Sequence, residues 1–165
     1  MKAAVLVGGT GSRLYPVAAY VLKALIPIGG KPLIDGILGY LNRHGIRDVV
    51  LLTSSEDHAA ISNHLNDRSI QDVAITYDVR ERIGTAGAIG AVSSAFTETF
   101  IIYYGGVLVD FDLCAMIAFH KKHRAALTIS LSKSVPIEYG VAQLSKDGRF
   151  ENMVEDHREA ANQVR

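Results

Sequence analysis

The sequence predicts an α/β fold: a mostly parallel sheet with helices on both faces, followed by a small antiparallel extension near the C-terminus. Short β-branched apolar runs alternate with amphipathic stretches of helical spacing as far as Arg124, and such alternation marks a parallel sheet with crossover helices. The first run, residues 3–7, is apolar throughout, as expected of a strand buried on both faces. Beyond Arg124 the pattern becomes strand, turn, strand, with Lys146-Asp147-Gly148 as the turn.

Each element follows in order. After the strand at 3–7, Pro32 opens a helix on which Leu33, Ile37 and Leu41 recur every fourth residue, with Ile34 and Leu38 beside them. Gly45 is placed to cap its C-terminus. Residues 49–52 form the next strand. Residues 56–65 read as a helix with Ala60, Ile61 and Leu65 facing inward. A third strand at 73–77 leads through a loop to a helix around 85–96. The fourth strand is 100–104, and Asp112 is the expected N-cap of a helix carrying Leu113, Met116, Ile117 and Phe119. In the extension, strands are expected at 126–131, 139–144 and 149–154, and the polar tail 157–165 frays or forms a solvated helix. No internal repeat, linker or low-complexity segment interrupts the chain.

Bulk properties narrow the function. The 165 residues suit a single domain with a substantial core. Lys and Arg number 17 against 17 Asp and Glu, so no global field draws the chain to nucleic acid or an anionic membrane. A single cysteine, Cys114, excludes a disulfide framework within the chain and suits a reducing compartment. The first apolar run is too short for a signal peptide, and no later stretch approaches a membrane span. A cytoplasmic protein is expected.

Chemistry concentrates where the first strand ends, in Gly8-Gly9-Thr10-Gly11 followed by Arg13 and, ten residues further on, Lys23. Ligands of open α/β sheets sit outside the carboxyl ends of the strands. Glycines there let backbone N–H groups approach an anion without side-chain obstruction. Arg13 can fork onto phosphate oxygens, and Lys23 can supply a point charge. The bland alternative is a tight turn beside two surface cations. A P-loop would need Gly-Lys-Ser/Thr where Ser12-Arg13-Leu14 stands, and the dinucleotide fingerprint would need a third glycine at Leu14.

The stretches "LVGGTGSRLYP" and "LKALIPIGGKPLID" resemble the signature of the sugar-1-phosphate nucleotidylyltransferases. Residues 81–92, 107–131 and 139–150 agree in order and spacing, so the resemblance spans nearly the whole chain. It implies a Rossmann-like sheet corresponding to the N-terminal, nucleotide-binding part of the family's catalytic domain, shorter than the whole. It implies transfer of a nucleotidyl group from a nucleoside triphosphate to a sugar 1-phosphate, with Mg²⁺ as cofactor and pyrophosphate released. Val7, Gly8, Gly9, Thr10, Gly11 and Ser12 would cradle base and phosphates, with Arg13 gripping the β/γ end and Lys23 neutralising the attacked phosphoryl group. Gly84, Thr85, Ala86 and Gly87 would lie as a turn against base and ribose. Tyr139, Gly140 and Glu155 would meet the sugar phosphate. A homo- or hetero-oligomer is expected, with no nucleic-acid or membrane partner.

The chain departs from the family pattern at positions that bear on catalysis. Tyr104-Gly105-Gly106 replaces Asn-Gly-Asp, whose Asp is the family's magnesium ligand, and Glu155-Asp156-His157 replaces Glu-Lys-Pro. Leu22 replaces the proline before the first lysine. Asp110 and Asp112 are the nearest carboxylates that can substitute as metal ligands, although a polar turn and a helix cap account for them equally. Asp78 and Glu81 read as solvated loop charges beside the 84–88 turn. His120 and His123 have a spacing that can hold a metal, yet one half-buried and one exposed histidine is the ordinary outcome. Cys114 is expected to pack as a small apolar residue. Tyr103 and Tyr104 can stack on a base or pack against the sheet. Two functions follow: a nucleotidyltransferase with impaired activity, or an inactive nucleotide- or nucleotide-sugar-binding subunit serving regulation or assembly.

Overall fold

The computed structural model describes residues 1–9, 11, 14–66, 72–81, 83–131, 141–145, 147 and 149–154. The chain divides into two compact units, Met1–Cys114 and Ala115–Arg165. In the first, strand β1 (Lys2–Leu6) is followed by two short 3-10 turns, Val17–Ala19 and Lys23–Leu25. A small hairpin of β2 (Pro27–Ile28) and β3 (Lys31–Pro32) leads into helix α1 (Leu33–Arg43). Then come β4 (Asp48–Ser54), α2 (Ser55–Asn66), β5 (Ala74–Arg80), α3 (Gly84–Ala91), a 3-10 turn at Ser93–Ala95 and β6 (Ile101–Tyr104). Helix α4 (Leu113–His123) bridges the boundary between the units.

The four long strands form one all-parallel sheet in the order β5-β4-β1-β6. The first strand is therefore central, and the chain steps outward from it on one side before crossing to the other. Register fixes which residues share a face. Ala4 stands opposite Val50 and Leu6 opposite Leu52, and this face packs against Val92, Ala88, Ile89, Phe96 and Phe100 around α3. Ala3, Val5, Val49 and Leu51 point the other way and are fully buried. The other large, fully buried side chains among the described residues are Ile34, Ile37, Leu38 and Leu41 of α1 and Ile61 of α2, so apolar helix stripes cover the second face. His64 on α2 meets Asp35 on α1 at 2.7 Å, pinning these two helices together.

The helix ends explain themselves. Beyond α1, the amide of Gly45 donates to Asn42 and that of Ile46 to Leu41, with Gly45 at φ +76. This is the paired bonding of a Schellman cap, which needs a left-handed residue and so favours glycine. At α2, the Ser54 hydroxyl accepts the amide of Asp57 at 3.2 Å, an N-cap.

The sheet and its helices are as expected, with three corrections. On α2 the inward residues are Asp57, Ile61 and Leu65, and Ala60 is exposed. The helix expected around 85–96 runs Gly84–Ala91, so the stretch 84–88 expected as a turn is its first turns, and it stops five residues early. Residues 126–131 are not a strand: Leu127, Ile129 and Leu131 are exposed, and among the described residues no strand pairs with them. Local β-propensity without a ladder partner buries nothing. In the second unit, β7 (Val141–Leu144) and β8 (Phe150–Val154) do pair antiparallel, as the turn at Asp147 requires.

Candidate functional site

The strand order places a topological switch point between β1 and β6, where connections leave the central strand in opposite directions. Open α/β sheets bind ligands in the crevice at such a point. There, at the carboxyl ends of all four strands, a cavity of about 490 Å³ opens, within the range of small-molecule sites. Its floor is built by strand ends. The amide of Val7 donates to Leu52 and that of Gly105 to Leu6, extending the ladders one residue past β1 and β6. Beyond them Gly8 and Gly9 line the cavity, and among the described residues their amides make no backbone hydrogen bond.

Close approach explains the glycines at the floor. A Cβ on Gly8 would stand 2.9 Å from the Ser54 amide nitrogen, and one on Gly105 would stand 2.6 Å from the Leu6 carbonyl oxygen. Real Cβ atoms do not come so near backbone, so both positions require glycine. Gly9 differs: a Cβ there meets nothing within 4 Å. Gly11 lies outside the cavity lining. It adopts φ +59, and a Cβ on it would press on Ala18 at 3.0 Å, so its part is to let the loop turn over the Val17–Ala19 segment.

Among the described residues lining the cavity, one ion pair forms, and Lys23 and Glu81 stand outside it. Arg80 donates to both carboxylate oxygens of Asp78, at 2.6 and 3.1 Å, and this fork raises the guanidinium pKa further. Asp78 and Arg80 are residues of β5 rather than of a loop, a correction to the sequence reading. Glu81 follows them at the rim and is exposed. Lys23 lines the opposite part and, among the described residues, makes no ion pair. Its side chain lies against Gly106, where an added Cβ would collide with Nζ and Cε. Lys23 thus fills the space that a side chain at 106 would take.

The expected residues separate into groups. Val7, Gly8, Gly9, Lys23, Gly84 and Thr85 come together around the cavity. Ala86 and Gly87 lie further along α3, which presents Ala88 to the cavity instead. Thr10, Ser12, Arg13, Tyr139, Gly140, Glu155 and Asp156 fall outside the described residues. Asp110 and Asp112 are not among the lining residues. Tyr103 is buried and donates its hydroxyl to the Val107 carbonyl at 3.0 Å, while Tyr104 is 56% exposed and forms part of the cavity wall. His120 is half-buried, bonded to the Thr128 hydroxyl at 2.9 Å, and His123 is exposed. Arg80, Ser54 and Gly105 are lining residues that sequence reasoning missed. The doublet of cation and carboxylate at the end of β5 was the available signal.

A parallel α/β sheet with a glycine-floored, cation-bearing crevice at its switch point has the layout in which sheets of this class hold anionic ligands. The model of the nucleotidyl transferase family matches residues 2–163, and the chain belongs to that family. It is 34% identical over 151 residues to a D-glycero-α-D-manno-heptose 1-phosphate guanylyltransferase of Aneurinibacillus thermoaerophilus, covering 90% of this chain and 65% of the relative. It is 30% identical over 167 residues to a UTP–glucose-1-phosphate uridylyltransferase of Synechocystis, covering 91% of this chain and 42% of the relative. The chain therefore spans about two thirds of the first relative and less than half of the second. Among solved structures, a Bacillus anthracis protein described as a candidate glucose-1-phosphate thymidylyltransferase superposes with a TM-score of 0.70 at 26% identity, covering 94% of this chain and 64% of that one. Among the described residues no helix is long and apolar enough to cross a membrane.

Proposed function

We propose that the switch-point cavity binds a nucleoside triphosphate or a nucleotide-sugar, and that the reaction class is nucleotidyl transfer to a sugar 1-phosphate with release of pyrophosphate. The observation that carries this reading is that Gly8, Gly9 and Lys23 line one cavity, with no backbone hydrogen bond from either glycine amide among the described residues. Phosphoryl transfer asks for positioning and charge stabilisation more than covalent chemistry, and these groups supply both. Arg13, Thr10 and Ser12 join the cradle by family resemblance, as do Tyr139, Gly140 and Glu155 at the sugar phosphate. The relatives differ in base and sugar, so the substrate is assigned only as a class.

The residues lining the cavity do not fit a magnesium ion at the family's position. Gly106 offers no ligand, the flexible Lys23 side chain lies over it, and Asp78 is engaged by Arg80, which leaves the rim residue Glu81 as the other lining carboxylate. Without the family's carboxylate at position 106 the nucleotide is held through Lys23 and the glycine amides, and turnover is slow, because losing one preorganised electrostatic group costs about 10²–10³ in rate. The same observation favours a second reading, a nucleotide-holding subunit that regulates or assembles with an active partner.

Calorimetry with a panel of nucleoside triphosphates and nucleotide-sugars, with and without Mg²⁺, tests the binding. Affinity is expected to change little with Mg²⁺, and Lys23→Ala to lose roughly 1.5–3 kcal/mol, the range for hydrogen bonds to charged groups. No binding by any member of the panel would refute the proposal. Pyrophosphate release from the same panel plus sugar 1-phosphates separates the two readings. Slow release supports impaired transfer, and none supports the regulatory subunit.

A further inference from the structure

A second constellation of chemistry-bearing side chains lies away from the cavity, where the C-terminal end of α1 meets the segment that opens α4. His44, the C-cap residue of α1, Asp112 and Cys114 each offer one ligand atom, and these atoms all lie within 4.8 Å of one another. None of the three lines the nucleotide cavity. Cys114 is exposed, a correction to its expected place in the core. Its sulfur stands 3.6 Å from Nδ1 of His44.

That distance suits a shared cation as well as a thiol–imidazole hydrogen bond. A tetrahedral zinc ion bonds sulfur at about 2.3 Å and imidazole nitrogen at about 2.0–2.1 Å. The sulfur–nitrogen edge of that tetrahedron is then about 3.6 Å by simple trigonometry on those lengths. A thiol–imidazole hydrogen bond accounts for this pair of residues, and the Asp112 carboxylate completes a three-donor set within 4.8 Å. The scaffold also holds the set in place. The Tyr40 ring packs on the His44 ring with centroids 4.7 Å apart, fixing its plane. The Tyr40 hydroxyl donates to the Phe111 carbonyl at 2.9 Å, tying the last turns of α1 to the segment that carries Asp112 and Cys114. The carbonyl end of a helix is the negative end of its dipole and favours a cation beside His44.

We propose that His44, Asp112 and Cys114 form a zinc-class divalent-cation site on the surface of the first unit. The donor set is one imidazole nitrogen, one thiolate and one carboxylate oxygen, a combination that suits zinc over the hard cations magnesium and calcium. Binding replaces the Cys114 S–H bond with a sulfur–metal bond and releases one proton to solvent. Three protein ligands with two of them exposed leave the fourth position to water. The ion would clip the end of α1 to the start of α4, independently of any nucleotide.

Titration of the full chain with Co²⁺, a spectroscopic stand-in for zinc, tests this. The expected result is one ion per chain, with a thiolate-to-cobalt charge-transfer band and tetrahedral visible bands, both displaced by Zn²⁺. Cys114→Ser should abolish the charge-transfer band. His44→Ala and Asp112→Asn should each weaken binding at least about tenfold, the loss that even outer-shell changes produce. His120→Ala should leave it unchanged. Absence of the band at saturating Co²⁺ in the unaltered chain, or an unchanged Co²⁺ affinity in either His44→Ala or Asp112→Asn, overturns the proposal. If a variant does not fold, the unaltered chain still decides: Zn²⁺ must slow alkylation of Cys114, and an unchanged rate overturns the site.

Discussion

Tyr103 illustrates how one side chain couples the sheet to pH. It is only 8% exposed, and burial, with Tyr40 beside it, pushes its pKa up to about 12. An unfolded tyrosine ionises near pH 10. Between those values the native state keeps a proton that the unfolded state has lost, so stability is complete below about pH 10 and falls as pH rises towards about 12. Denaturant midpoints measured across that window should decline, and Tyr103→Phe should flatten the decline. Tyr40 and Tyr77 shift in the same direction, so the flattening is partial. At neutral pH the same variant loses about 1 kcal/mol with the hydrogen bond to Val107. Gly9 offers the cleanest residue-scale test of the cavity. Its side-chain direction is open, so Gly9→Val should abolish nucleotide binding while the unfolding midpoint moves little. Gly84→Val would not serve, because φ +76 penalises any β-branched residue there whatever the ligand. If Gly9→Val binds nucleotide normally, the phosphates lie elsewhere.

At the scale of elements, α1 shows how a helix terminus is specified. Six of its eleven residues are buried, yet burial alone does not say where the helix ends. Gly45 does, because only a left-handed residue lets both following amides turn back to Leu41 and Asn42. Gly45→Ala should destabilise the chain by about 1–2 kcal/mol, the cost of left-handed backbone for an L-residue. A Cβ at Gly45 meets nothing within 4 Å, so the loss measures backbone conformation and not a clash. An unchanged urea midpoint would contradict the capping role. The same reasoning fails for residues 126–131, where three apolar residues at alternate positions stay exposed. A helix carries its hydrogen bonds with it, whereas a strand needs a neighbour.

For the whole molecule, the alternation of periods revealed the class of fold and the order of elements along the chain. It did not reveal their order across the sheet. That order, β5-β4-β1-β6, is what turns a glycine loop into the floor of a crevice. The cavity was legible in part: Gly8, Gly9 and Lys23 are close in sequence to the strand that positions them. Arg80, Asp78 and Gly105 were not legible as a site, because they converge only when β5 and β6 flank β4 and β1. The need for glycine at 105 comes from the Leu6 carbonyl, nearly a hundred positions away, 2.6 Å from where its Cβ would be. The zinc-class cluster was equally hidden, since His44 meets Asp112 and Cys114 only through the docking of α1.

The lysine that lies over Gly106 also bears on any side chain introduced there. Gly106→Asp, on its own, places a carboxylate against the Lys23 ammonium, and the two neutralise each other before either meets a ligand. That single step should weaken nucleotide binding in the absence of Mg²⁺ and make the remainder depend on the ion. Calorimetry with EDTA or Mg²⁺ reads both effects, and an affinity unchanged in EDTA would show that the two positions act independently.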